Sequence, residues 1–116
     1  MGQKNVNVTV VNNTLTVGNV NMDTGDNTLN FKRSPSSADW KLTDLSIWPN
    51  GGTEVTGQVQ NPPFSNKDVE PGGGKISVED NNPGGTVDVK YQFRLYGKNA
   101  NGDPLQHDPE IINKKE

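Results

Sequence analysis

From Ile76 to the end the chain reads ISVEDNNPGGTVDVKYQFRLYGKNANGDPLQHDPEIINKKE, with acidic and amide side chains gathered around two Gly-rich breaks. Calcium is the first chemistry such residues could serve, since it takes about 6–8 oxygen ligands from carboxylates and carbonyls. Glu79 and Asp80 in EDNN, and Asp23 and Asp26 in MDTGDNT, offer carboxylates, but neither stretch has EF-hand spacing. A strand over residues 86–96 would span about 36 Å at roughly 3.3 Å per residue. Asp80 and Asp103 would then stand at opposite ends of it and cannot share an ion. Paired carboxylates for glycoside hydrolysis could come from Asp103, Asp108 and Glu110, but a small domain offers little concave surface in which to desolvate one of them. His107, the single histidine, is the only base suited to neutral pH; it sits in PLQHDPE, with no nucleophile-elbow motif anywhere in the chain. Turn formation accounts for these residues more simply, because Asp, Asn and Gly close turns and permit positive φ. The sequence therefore assigns no catalytic residue, no metal ligand and no cofactor, and the expectation is that the protein is not an enzyme.

Sugar recognition uses an aromatic face for stacking and planar amide or carboxylate groups for hydroxyls. Trp48, just before Pro49-Asn50-Gly51-Gly52, could supply the ring, and Asp80 and Asn81 the polar groups. These three are the candidate ligand-binding residues. Set against that use, Trp48 is expected to pack at the rim of a sheet and Trp40, in phase with Leu42, to fill the core.

The elements that would position these groups are strands. Apolar residues alternate along much of the chain, the period of a half-buried strand, and almost nowhere recur at helical spacing. Val6, Val8 and Val10 alternate with Asn5, Asn7 and Thr9, and after an Asn12-Asn13 turn come Leu15 and Val17, the pattern of a hairpin. Leu29 and Phe31 mark a short strand. Trp40, Leu42, Leu45 and Ile47 mark a longer one whose phase slips between Leu42 and Leu45, which implies a bulge. Val55 and Val59 suggest a strand over 54–60, and Ile76 and Val78 another. The clearest is TVDVKYQFRLY, with Val87, Val89, Tyr91, Phe93 and Leu95 expected inward and Asp88, Lys90, Gln92, Arg94 and Tyr96 outward. Asp80-Asn81-Asn82 would open a hairpin turn into it. Residues 61–74 show no period and read as a long mobile loop. The expected fold is all-β: a single antiparallel immunoglobulin-like β-sandwich of about seven or eight strands, one domain over residues 1–116, its strand order left open.

Composition bounds the rest. The chain has 116 residues, 28% of them apolar, and adding its 13 Gly gives about 39%, below the roughly 45–50% of ordinary domains. The core must be thin. With 14 acidic and 11 basic residues the net charge is −3, and the only adjacent basic pairs, Lys32-Arg33 and Lys114-Lys115, make no phosphate-binding patch, so no nucleic-acid partner is expected. There is no cysteine, hence no disulfide frame or thiolate zinc site. No run of about 18 apolar residues exists, and MGQKNVNVTV lacks a basic head followed by an apolar stretch. The expectation is a cytoplasmic protein with no membrane partner.

The segment 76–113 resembles small bacterial proteins of the DP-EP family. The resemblance runs through ISVEDNN, a Gly, VKYQFRLYG and DPEIIN, on Ile76, Val78, Asp80, Asn81, Gly85, Tyr91, Phe93, Asp108, Pro109, Ile111 and Asn113. It implies a small β-sandwich of unknown role and carries over no site residues. Together these readings point to a non-enzymatic β-sandwich protein that acts by self-association, as a homo-oligomer, or by binding another protein through a sheet edge. The alternative is a carbohydrate-binding module, with or without calcium.

Overall fold

The computed structural model describes residues 2–24, 26–82, 87–107 and 110–113, and for Asp26, Gln106, His107 and residues 110–113 the backbone alone. The Gly85, Asp108 and Pro109 of the DP-EP pattern, and the side chains of His107, Glu110, Ile111 and Asn113, thus lie outside the described residues. All regular structure among the described residues is strand: β1 (Gly2–Val11), β2 (Thr14–Thr16), β3 (Val20–Met22), β4 (Asp26–Arg33), β5 (Lys41–Pro49), β6 (Phe64–Val69), β7 (Lys75–Asp80), β8 (Val89–Lys98), β9 (Pro104–His107) and β10 (Glu110–Asn113). They form two sheets. One has the order β2-β1-β4-β7-β6; the other has the order β3-β10-β8-β5, with β9 pairing β8 off that path.

Local chemistry explains several of these elements. Asn12 and Asn13 close the β1–β2 hairpin with φ of 50° and 60°, the pair of positive values that a two-residue turn between twisted strands requires and that Asn tolerates. In β5 the register against β8 breaks between Leu42 and Asp44. That bulge lets Leu42 and Leu45, an odd number of residues apart, both point into the core, where they are 1% and 0% exposed. Inward-facing residues of both sheets make one core, including Val8, Leu29, Phe31, Ile76 and Val78 on one side and Leu45, Ile47, Phe93 and Leu95 on the other. Trp40 belongs to it at 6% exposure.

The strand map departs from the sequence expectation in several places. Among the described residues two pairings are parallel, β1 with β4 and β3 with β10, so the sheets are mixed, and ten strands stand where about seven or eight were expected. Residues 61–74 are not all loop, because they contain β6, paired to β7 with a register break between Ser65 and Asp68. Asn66 sits in that break at φ 54°, and the break erases the period-2 signal. Residues 54–60 form no strand. They lie along β5, held by Ile47 N–H donating to the Gln58 carbonyl at 2.9 Å and Gly57 N–H to Ser46 Oγ at 2.8 Å. β7 and β8 belong to different sheets, so Asn81-Asn82 begins a crossover rather than a hairpin turn.

β8 keeps its expected phase but not its expected burial throughout. Phe93 and Leu95 are fully buried, whereas Val89 is 43% and Val87 65% exposed. The facing sheet ends first: Tyr91 packs edge-on against Phe64 at 5.1 Å, and Phe64 pairs with Asp80, the last residue of β7. Val89 and Val87 therefore project past the opposing layer. Phe93→Ala should cost about 3–5 kcal/mol, the usual range for a buried aromatic cut to alanine, and Val89→Ala less than about 1 kcal/mol because nearly half of its surface stays in water. Urea denaturation of both variants measures the difference, and equal midpoints would show the register to be wrong.

Candidate functional site

The period of β7 aims Ile76, Val78 and Asp80 at the core and Ser77 and Glu79 outward. Asp80 is 0% exposed, an inward-facing carboxylate at the end of a strand where turn chemistry alone would have placed a solvated cap. The chain turns away immediately after it, and Asn81 N–H donates to the Pro63 carbonyl at 2.9 Å. This places Asn81 between two hollows. One, of about 270 Å³, is lined by Asn27, Thr28, Ser65, Glu79, Asp80 and Asn81. The other, of about 310 Å³, is lined by Pro62, Pro63, Asn81 and Tyr91. The first offers hydroxyl, amide and carboxylate groups in a row across β4, β7 and β6, because Thr28 and Ser65 both pair with Glu79. The Asn66 amide also donates to the Glu79 carboxylate.

Burial raises the Tyr91 phenol above its ordinary pKa, and the negative charge of Asp80 adds to the effect. Both causes favour the neutral phenol. The arrangement can therefore donate one phenolic hydrogen bond beside a set of planar polar acceptors. Among the described residues no three or more His, Cys, Asp or Glu side chains group closely enough to hold a metal ion.

Trp48 stands elsewhere. It lies in β5, in the other sheet, opposite Gln92 of β8, and it is 7% exposed. Its indole N–H donates to Gln92 Oε1 at 2.9 Å, and the Arg94 guanidinium lies 5.7 Å from its ring centroid. Arg94 in turn pairs with Glu54 at 2.8 Å, and the Tyr96 hydroxyl donates to the same carboxylate. Segment 50–60 thus covers the outer side of β5 and β8 and closes over the indole. Trp48 packs at the rim and offers no free stacking face. Of the three candidates the structure brings Asp80 and Asn81 together and leaves Trp48 apart. The aromatic ring that does stand beside Asn81 is Tyr91, expected on the core face and half-buried against the core; its place at the second inward position of β8, near the start of the strand, was the available signal.

No protein-family model matches the chain, and no curated protein matches it by sequence. Among solved structures it is similar to the crystal structure of the bradyzoite-specific antigen BSR4 of Toxoplasma gondii, at 12% identity and a TM-score of 0.50, over 96% of this chain and 52% of that one. The chain spans about half the length of that protein, and at such identity the likeness concerns the fold alone.

Asp80→Asn removes the second cause of the Tyr91 shift and leaves the first, so the phenol should titrate at lower pH than in the wild type yet above an ordinary tyrosine. Ultraviolet difference absorbance, with Tyr91→Phe to assign the signal against Tyr96, measures it. The stability due to the neutral phenol is present below the unfolded-chain value and is lost as pH rises through the higher folded one.

Proposed function

We propose that the chain is a non-enzymatic binding protein that takes up an extended segment of another polypeptide as an added strand on β1. One observation carries this reading. β2 pairs only with Thr9–Val11 of β1, while β4 pairs with Gly2–Val8 on the other side, so among the described residues no strand lies against the outer edge of Gly2–Val8. Such an edge is a row of free N–H and C=O groups that a further strand can complete.

The remaining edges among the described residues are short, broken or covered, and β9 has only four residues beginning at Pro104. β6 is broken at Asn66 and tied down by the Lys67–Asp44 ion pair at 2.5 Å. Lys67 also donates to the Gly57 carbonyl. β5 is capped along its edge by bonds from Ile47 to Gln58 and from Leu42 to Gly73. β2 and β3 are three residues each. Short, bulged, charged or covered edges resist pairing, and Gly2–Val8 has one charge, Lys4. The cytoplasmic location and the DP-EP resemblance of residues 76–113 belong to the same reading and assign it no further residue.

A second reading, carbohydrate recognition, is supported by the hollow that sets Tyr91 beside Asn81. It needs Tyr91 in the stacking role for which Trp48 was the candidate. On a glycan array a sugar-binding protein would lose its signal with Tyr91→Ala and keep it with Trp48→Phe.

Strand addition is tested with a display library of random linear peptides. Selected peptides should bind the wild type and lose about tenfold or more in affinity for Asn5→Pro, which removes a donor worth about 1 kcal/mol and adds a clash at the edge. Because the Asn5 N–H faces away from β4, the variant should keep its fold, as a melting curve would show. Recovery of no peptide, or of peptides indifferent to the variant, would sink the reading.

A further inference from the structure

We propose that the strand added to β1 is β1 of a second copy of this chain, antiparallel and related by a two-fold axis through Asn5. This rests on the strand-addition reading and names its partner. Backbone polar groups alternate sides along a strand. The Val8 carbonyl accepts from Ser34 N–H at 2.8 Å, on the β4 side, so the groups of Asn7, Asn5 and Gln3 face the open side. Thr9 ends that stretch, because it pairs with Thr16 of its own hairpin.

Antiparallel pairing of Gln3–Asn7 with itself can bring more than one of its outward residues opposite another about three centres. Centred on Lys4, the only charged side chains of the two edges face each other, which is destabilising. Centred on Val6, Gln3 would need Thr9 of the second copy, whose edge β2 already occupies. Centred on Asn5, Gln3 meets Asn7, Asn5 meets Asn5, Lys4 meets Val6, and every outward backbone group is used. The length of the open edge and the place of its one charge thus fit a second copy with no other sequence required.

The side chains fit the same axis. On the outer face the Asn30 amide donates to Asn5 Oδ1 at 3.0 Å and to Gln3 Oε1 at 3.4 Å, and accepts from the Ser77 hydroxyl at 2.7 Å. This row of polar groups already crosses β1, β4 and β7. Pairing about Asn5 sets Gln3, Asn5 and Asn7 opposite their counterparts and continues it into the second sheet, as amide ladders do between stacked strands.

The chain has no cysteine, so single cysteines report the register. Cα atoms of a hydrogen-bonded antiparallel pair are about 5.5 Å apart, within the roughly 4.4–6.8 Å that a disulfide spans. Under mild oxidation Asn5→Cys should form a covalent dimer, whereas Asn7→Cys and Asn12→Cys should not. In sedimentation equilibrium the wild type should dimerise, more tightly at higher salt because Lys4 lies about 7–8 Å diagonally from Lys4 of the second copy. Asn5→Pro should weaken the dimer about tenfold or more, the cysteine series standing in if that variant does not fold. A wild type that stays monomeric, or an Asn5→Cys that cross-links no faster than Asn12→Cys, overturns the proposal. If selected peptides still lose affinity for Asn5→Pro, only the self-pairing is wrong; if they do not, strand addition itself fails.

Discussion

Phe31 and Phe93 meet across the two sheets with ring centroids 5.1 Å apart and planes at 33°. Phe31 comes from β4, the middle strand of its sheet, and Phe93 from β8, which is flanked on both sides in the other. Both are fully buried. A tilted aromatic pair at this spacing is favourable beyond the area it buries, and it sets the distance between layers to which Leu29, Ile76, Leu45 and Leu95 adjust. In a chain with an apolar content of 28%, few residues remain to fill the space away from that centre. The ends of the sandwich are accordingly where polar side chains turn inward and where strands lack partners.

Asp80 and Tyr91 show the consequence at one end. Asp80 shares phase with Ile76 and Val78, so the pleat carries its carboxylate inward whatever its chemistry prefers. The carboxylate sits on the last residue of β7, and its charge disfavours ionisation of the Tyr91 phenol. The hollow beside Tyr91 exists for the same reason: β7 stops at Asp80 while β8 runs on past it, and an uneven pair of layers leaves a step.

Where one local rule decided the outcome, the residues were legible. Two Asn between alternating runs specify a tight hairpin turn, and the odd spacing of Leu42 and Leu45 specifies a bulge, because no regular strand buries both. The all-β class follows from the same period. Long-range choices left no such mark. β6 alternates badly because it is an edge strand interrupted at Asn66, and the polar residues that blunt an edge are those that read as loop. The parallel β1–β4 pairing depends on where the intervening chain travels, about which the period of either strand is silent. Trp48 could be named as a stacking candidate beside its rim-packing role because an aromatic next to a Gly-rich loop looks exposed until the loop is known to fold back, and the Arg94–Glu54 pair that holds the loop there joins residues far apart in the chain. Asp80 and Asn81 were found as neighbours, but the ring that joins them came from the other sheet.

The open edge of β1 follows from the core's demands. After the Asn12-Asn13 turn, β2 runs only three residues beside β1 before Val17-Gly18-Asn19 carries the chain to the second sheet. There β3 buries Val20 and Met22 at 1% and 0% exposure. A longer β2 would have covered Gly2–Val8, but it would have kept those two apolar side chains out of a core that has few to spare. The same crossing returns the chain in the direction that makes β4 parallel to β1, on the opposite side from β2. Filling the core and closing the edge compete for the same residues 14–22, and at roughly 1.5–3 kcal/mol for each buried aliphatic side chain against about 1 kcal/mol for a net hydrogen bond at a solvated edge, the core prevails. Among the described residues no strand covers the outward backbone groups of Gly2–Val8, and another strand can replace the water on them at little cost.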